Sequence, residues 1–423
     1  MQKFVINGGN RLEGKVKVSG SKNAVLPISV AAAILGDNVS VLHNVPNLTD
    51  VNTLSAVLEG LGASITRKNG SLYIEPINRM EYEAPYDLVR KMRASIYVLG
   101  PLVAKLGRAK VSFPGGCAIG PRPVDLHIKG LEHLGAKVEV KKGYIYAQAE
   151  QLKGSKIDLL GQHGPSVGAT ANVMMAATLA EGTTIIKGAA REPHVYDLAQ
   201  FLNAMGADIK GIGTSTLTIN GVKQLYGTEH TVISDDIEAG TFMVAAAMTN
   251  GDVSVEGIKP QQVTAVSKKL IDAGIQLDWY DTGVRVTKPG ELKAIDVTTA
   301  PFPGFPTDMQ AQIMGLLSIA SGKSTITENV HTDRFIHAAE LNRMGANITL
   351  KGSKSIIRGV PYLSGAPVMA SDLRAGAVLV VAGLAATGET TVSRIYHIDR
   401  GYEEIEKKLN NIGADIERVN TDI

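Results

Sequence analysis

The chain has 423 residues, 44% of them hydrophobic and with no low-complexity stretch, which is enough for two lobes of ordinary size and excludes a disordered chain. Lys and Arg number 43 against 41 Asp and Glu, without a polybasic block, and aromatic residues make up 5%, so no nucleic-acid partner is expected and any anion binding must be local. A single cysteine excludes an internal disulfide, the start MQKFVINGGN has no apolar signal region, and the greasy runs fall short of the roughly 18 residues that span a bilayer, so a soluble, cytoplasmic protein without a membrane partner is expected.

In chain order, one unit recurs six times. An alanine-rich run that reads as a helix opens each copy, over 20–38, 93–109, 165–182, 236–251, 306–322 and 372–388. A β-rich stretch with period-two alternation follows: VSVLHNV, AKVSFPG, TTIIKGA, DVSVEGI, STITENV and TTVSRIY. Then comes a second helix start, at PNLTDVNTL, GPRPVDLHI, EPHVYDLAQ, PQQVTAVSK, HTDRFIHAA and HIDRGYEEI. Each copy carries a small motif around a glycine, at Gly62, Gly135, Gly206, Gly274, Gly345 and Gly413, spaced by about 70 residues. The chain is therefore read as a repeat architecture of the α/β class.

Helix N-termini present unpaired N–H groups and the positive end of the helix dipole, so the loops before these helices are natural anion seats. The first-helix starts carry Lys22 and Asn23, Arg93, Ser166, Glu238, Asp308, and Asp372 with Arg374; the second-helix starts carry Arg122, Arg334 and Arg400. Helix capping accounts for Asp and Ser at such positions, but capping does not need arginine.

Cys117 lies in VSFPGGCAIGPRPVDL, flanked by Gly115, Gly116, Gly120, Pro121 and Pro123, which is loop chemistry. A lone cysteine is commonly a small buried hydrophobe; here a glycine-flanked lid is the other reading, with Arg122 placed to lower the thiol pKa if the loop folds back. Ser321–Ser324 reads SerGlyLysSer like the tail of a phosphate loop, but Leu317 stands where the first glycine belongs and the segment sits at a helix exit. The nine histidines form no HExxH pair, and one cysteine excludes CxxC sites, so neither a metal nor a cofactor is implied. His331 and His397 read as turn histidines.

Together GSKNA, PGGCAIGPRPVDLH, SVGAT, FPTDMQ, ENVHTDRF, SDLRAG and HIDRGYE resemble the UDP-N-acetylglucosamine enolpyruvyl transferase (1-carboxyvinyltransferase) family, in order from Lys22 to Arg400. The resemblance implies a two-lobed inside-out α/β barrel: six βαβαββ repeats in two pseudo-threefold lobes, helices inside and a substrate cleft between. The first lobe would hold residues 22–232, including the Cys117 loop, and the second residues 1–21 and 233–423, with TINGVKQLYGTEHTVISDD as linker candidate and both crossings as hinges.

The family reaction moves the enolpyruvyl group of phosphoenolpyruvate to the sugar 3-hydroxyl of UDP-N-acetylglucosamine and releases phosphate, committing material to peptidoglycan synthesis. By resemblance, Lys22, Arg122 and Arg400 are the phosphoenolpyruvate cations, with Arg374 lining the same pocket. Cys117 would be the acid, Asp308 the base near the sugar hydroxyl, Asp372 a second carboxylate close to the chemistry, and Asn23 a holder of substrate. Around the nucleotide sugar the resemblance places Arg93, the run Arg122, Pro123, Val124, Asp125 and Leu126, the segment Gly164, Pro165, Ser166 and Val167, then Val330. Arg334 would either contact the nucleotide sugar or brace a closed state.

Some members carry a basic residue where this chain has Gly164, so a weaker diphosphate contact is implied. Retention of Cys117 implies alkylation by the epoxide fosfomycin. Two alternatives remain: the sister 3-phosphoshikimate 1-carboxyvinyltransferase, which shares the repeats and lacks the cysteine loop, and a catalytically silent paralogue.

Overall fold

A computed structural model describes residues 2–84, 86–89, 92–113, 124–288 and 290–420. Cys117, Arg122 and Pro123 lie outside these described residues. The chain divides into two compact units, one running from Gly20 to Ile233 and the other joining the residues up to Ser19 with those from Ser234 onward.

The alanine-rich runs form helices that are apolar all round, as befits elements enclosed on every side. In Asp236–Met248 every residue but the first is buried, and in Leu373–Ala385 every residue but the last. Within one unit, Lys22–Leu35, Leu99–Leu106 and Val167–Ala177 pack against one another, and within the other Asp236–Met248, Gln310–Leu317 and Leu373–Ala385 do the same. Small residues allow the close approach: a Cβ on Gly315 would stand 2.7 Å from Val378 Cγ2. Each unit thus has its own helical core, wrapped by sheets whose strands alternate buried and exposed residues, as in Asp252–Glu256 and Glu389–Ser393.

The first five repeats then follow one path, and in the sixth the strand antiparallel to Glu389–Ser393 is Gln2–Asn7. A strand leads into a second helix, and a hairpin returns antiparallel to that strand, as when Asp252–Glu256 pairs with Gly283–Thr287, which pairs with Gln276–Tyr280. The six motif glycines have φ between +92° and +106° and end the second helices. Gly62 N–H donates to Glu59 O and Ala63 N–H to Leu58 O, and the same bond pair recurs at all six sites, the Schellman closure that only a residue tolerant of left-handed backbone makes cheaply.

Strands from distant sequence complete the sheets. Gln2–Asn7 lies between Glu389–Ser393 and Ile416–Asn420, with Phe4 opposite Val392 on one side and Arg418 on the other. Glu13–Lys17 adds in parallel to Asp252–Glu256, and in the other unit Glu229–Thr231 adds in parallel to Ser40–His43. The division between the two units falls within the stretch 218–236, the linker candidate, which also takes in the end of strand Thr216–Asn220, the strand Glu229–Thr231 and the helix start at Asp236. Lys323 begins a strand after a turn, which agrees with rejecting a phosphate loop at Ser321–Ser324.

Candidate active site

In the unit from Gly20 to Ile233, Lys22 is the first residue of its helix, and its Nζ lies 3.5 Å from Oδ2 of the buried Asp50 in the first turn of Thr49–Gly60. Asn23 follows, half-buried. Arg93 opens a 3₁₀ turn, Arg93–Val98, that leads into Leu99–Leu106. Val124 precedes helix Asp125–His133, with Asp125 in the first turn where the helix dipole favours an acid. Gly164 and Pro165 pair with Gly161 and Leu160 in a short hairpin, and Ser166 caps Val167–Ala177 by accepting from Ala169 N–H at 3.2 Å.

These segments converge. A Cβ on Gly161 would lie 3.0 Å from Leu126 Cδ1, and one on Gly168 would lie 3.0 Å from His127 Nε2, so the hairpin and the start of the 167–177 helix abut the 125–127 turn. Asn172, wholly buried, ties the third side: its amide donates to Ile96 O at 2.8 Å and to His127 Nδ1 at 3.1 Å, and its oxygen accepts from Gly100 N–H at 2.6 Å. Because Nδ1 accepts, the proton of the neutral imidazole sits on Nε2, facing the helix start. Burial, aided by the Arg93 charge, pushes the His127 pKa down to about 3. Neither Asn172 nor His127 is expected from the sequence reading; the one signal is an amide inside an otherwise apolar, alanine-rich run.

In the other unit the candidate base is clamped. Asp308 sits in the 3₁₀ turn Thr307–Met309, and its Oδ1 accepts from Arg334 Nη1 at 2.6 Å. Its Oδ2 accepts from Arg374 Nε at 3.2 Å and Nη2 at 3.0 Å, the fork geometry that guanidinium offers a carboxylate. Arg374 is 2% exposed and Arg334 6%, whereas the Asp308 side chain is 30% exposed, so the carboxylate is held by two buried arginines at the edge of solvent. Tyr402 lies beneath Arg374, ring centroid 5.5 Å from the guanidinium carbon, and its hydroxyl is bonded to Thr241 at 2.9 Å and Gln312 at 3.1 Å. Burial raises the Tyr402 phenol pKa despite the neighbouring Arg374, so it stays neutral as a donor.

Asp372 is bonded differently from Asp308. Its Oδ1 accepts from Arg374 N–H at 2.8 Å and Ala375 N–H at 3.0 Å, so it caps Leu373–Ala385. Glu238, also at a first-helix start, is no cap: Asp235 fills that place, and Glu238 is buried against Lys408 Nζ at 2.7 Å and Ser19 N–H at 2.6 Å. Val330 lies in the loop that leads to Arg334. Two helix starts fall later than expected. Arg334 sits in a turn before His337–Arg343, and Arg400 ends the 3₁₀ turn Ile395–Arg400, with Ile405–Asn410 beginning only after Gly401 and a left-handed Glu404. Among the described residues no cluster of three metal-ligating side chains occurs, and no helix is long and apolar enough to cross a membrane.

The fold is that of the enolpyruvyl transferases: a family model described as EPSP synthase (3-phosphoshikimate 1-carboxyvinyltransferase) matches residues 6–409. The enolpyruvyl transferase NikO from Streptomyces tendae superposes with a TM-score of 0.89 at 26% identity, covering 100% of this chain and 99% of that one. Two curated relatives are far nearer in sequence. UDP-N-acetylglucosamine 1-carboxyvinyltransferase of Methylacidiphilum infernorum is 53% identical over 99% of both chains, and UDP-N-acetylglucosamine 1-carboxyvinyltransferase 2 of Carboxydothermus hydrogenoformans is 54% identical over 99% of this chain and 100% of its own length. The chain belongs to the UDP-N-acetylglucosamine 1-carboxyvinyltransferase family.

Proposed function

We propose that the protein transfers the enolpyruvyl group of phosphoenolpyruvate to the 3-hydroxyl of UDP-N-acetylglucosamine with release of phosphate, the committed step of peptidoglycan precursor synthesis, in the cytoplasm. Full-length identity of 52–54% to curated relatives of that name favours it over transfer to shikimate 3-phosphate. The observation in this chain that supports it best is the Asp308 carboxylate, oriented by two buried arginines and partly exposed.

The chemistry is an addition followed by an elimination. The methylene carbon of phosphoenolpyruvate takes a proton from Cys117 while the sugar 3-hydroxyl loses its proton to Asp308 and its oxygen bonds to the electron-poor central carbon. Removal of a proton from the new methyl group then expels phosphate and restores the double bond. A base of this kind needs a fixed direction more than a high pKa, and the Arg334 and Arg374 bonds give Asp308 one. Lys22, Arg122, Arg374 and Arg400 are the cations assigned to the carboxylate and phosphate of phosphoenolpyruvate, and Asn23 holds the substrate.

Arg93, the run from Arg122 to Leu126 and the segment from Gly164 to Val167 are assigned to the nucleotide sugar, and among the described residues the turn at 125–127 abuts the hairpin and the start of the 167–177 helix. The 167–177 helix start and the Ser166 turn supply N–H groups where other members have a basic side chain. Asp372, already engaged as a cap, has one oxygen left and serves orientation.

The test is phosphate release from phosphoenolpyruvate with UDP-N-acetylglucosamine or shikimate 3-phosphate as acceptor, with and without fosfomycin. Release only with the nucleotide sugar, abolished by fosfomycin with one adduct on Cys117, is the expected result. Release with shikimate 3-phosphate assigns the sister reaction; binding without turnover assigns a silent paralogue.

A further inference from the structure

Glu328 is wholly buried, lies outside the set of expected site residues, and gathers four hydrogen bonds. Its Oε1 accepts from Thr299 Oγ1 at 2.7 Å, Val330 N–H at 2.8 Å and His331 N–H at 2.9 Å, and its Oε2 from Thr307 Oγ1 at 3.0 Å. The bonds from Val330 and His331 run from backbone N–H to the Glu328 oxygen. Asn329 N–H donates into Thr299 Oγ1 at 3.0 Å and Arg334 Nη1 into Thr307 Oγ1 at 3.3 Å, while the two hydroxyls donate to Glu328.

The three segments joined this way are those that carry the clamp. Thr307 directly precedes Asp308, the loop from Val330 leads to Arg334, and Thr299 anchors both from the neighbouring strand. Arg334 is shared, since the same Nη1 reaches Thr307 and Asp308. We propose that Glu328 is a positioning residue for the transfer reaction: through Thr307 and the 329–334 loop it sets the direction in which Asp308 is presented to the sugar hydroxyl. This rests on the reading of Asp308 as the base.

An amide at this position makes the proposal specific. In Glu328→Gln the oxygen must stay on the side of Thr299, Val330 and His331, where three donors point, so the NH₂ faces Thr307. The Thr307 oxygen then meets two donors, its hydrogen has to turn away, and the Arg334 contact is disturbed while the other side of the hub is kept. Thr307→Val removes the same link from the opposite end.

The experiment compares wild type, Glu328→Gln, Thr307→Val and the double variant at a temperature where each is fully folded. A small misdirection of a reacting group costs up to about a hundredfold, so kcat is expected to fall by about ten- to a hundredfold in each single variant, with the KM for phosphoenolpyruvate within about twofold of wild type. The double variant should be no worse than the singles, because both cut one link. An unchanged kcat in either variant overturns the proposal, as do losses that multiply in the double variant; a purely architectural Glu328 would lower the melting temperature and leave kcat intact.

The same proteins are examined by ¹⁵N spectra of the Arg334 guanidinium, identified with Arg334→Lys. Hindered rotation in wild type and free rotation in Glu328→Gln supports the proposal, and identical behaviour overturns it. This arm holds even if the wild type turns over neither acceptor, which would sink the functional reading alone. Should Glu328→Gln not fold, Thr307→Val carries the comparison.

Discussion

Replacing His127 by asparagine tests whether the buried imidazole next to Arg93 controls how the unit from Gly20 to Ile233 responds to acid. His127 is 2% exposed and its pKa is pushed down to about 3, whereas in an unfolded chain it titrates near 6.5. A base whose folded pKa is depressed costs nothing above about 6.5; below that the unfolded chain takes a proton that the folded chain refuses, and stability is lost as pH falls toward 3. At pH 5 the difference is about 1.5 pH units, or about 2 kcal/mol. Asparagine can keep the Asn172 bond through its Oδ1 but loses the packing of the rest of the ring at every pH, about 1–3 kcal/mol, and has no proton to bind. The gap between wild type and variant should therefore narrow by about 2 kcal/mol between pH 7.5 and 5. Urea denaturation followed by circular dichroism measures it, with Trp279, the sole tryptophan and a residue of the other unit, as an internal control by fluorescence. Stability curves that run parallel at both pH values would refute the argument.

Tyr402→Phe removes a hydroxyl bonded to Thr241 and Gln312, but Thr241 keeps Ile237 O at 2.8 Å and Gln312 keeps Thr241 at 3.3 Å; a loss of about 1–2 kcal/mol by Trp279 fluorescence is expected. Lys408→Met leaves the Glu238 carboxylate buried with Ser19 N–H for company and should cost about 3 kcal/mol or more at pH 8. Burial has already pushed Glu238 up to about 7, so the folded chain favours the proton; denaturation at pH 5.5 should show part of that loss recovered. Gly130→Ala drives a Cβ to 2.2 Å from Val173 Cγ2 and should cost about 1–3 kcal/mol, mostly restored in the double variant with Val173→Ala, because every close atom belongs to Val173. Asp308→Asn keeps the shape and removes the base; kcat for phosphate release should drop by at least about a hundredfold with a cooperative melting transition retained.

The six glycines were legible because their backbone leaves little choice: with φ near +100° and a helix to close, a side chain would be strained at each site, so the repeat is written in one residue type. The alanine-rich runs were legible for a related reason, since helices packed closely on all sides favour small residues. Asp308 and Asp372 show where local reading stops. Both stand at the start of a first helix, yet one accepts from two arginines 26 and 66 residues away and the other from its own helix, and nothing within a turn of either tells them apart. The late helix starts after Arg334 and Arg400 were missed because intervening turns, one of them 3₁₀, take up residues that the helical pattern claims. Glu328 and Asn172 were hard to see for a related reason: their importance lies in partners that only the fold brings together, Thr299 and Thr307 for Glu328 and Ile96, Gly100 and His127 for Asn172.

The strands at residues 2–17 also govern the order in which the chain matures on the ribosome. They are made before any of the strands they pair with, and Gln2–Asn7 has partners at 389–393 and 416–420. The unit from Gly20 to Ile233 has all its described strands once Glu229–Thr231 emerges, and can settle while synthesis continues. The leading segment meanwhile trails unpaired, a β-forming edge exposed to chaperones and to neighbouring chains, until the closing repeat is translated. A slow stretch of translation anywhere between the two would prolong that exposure.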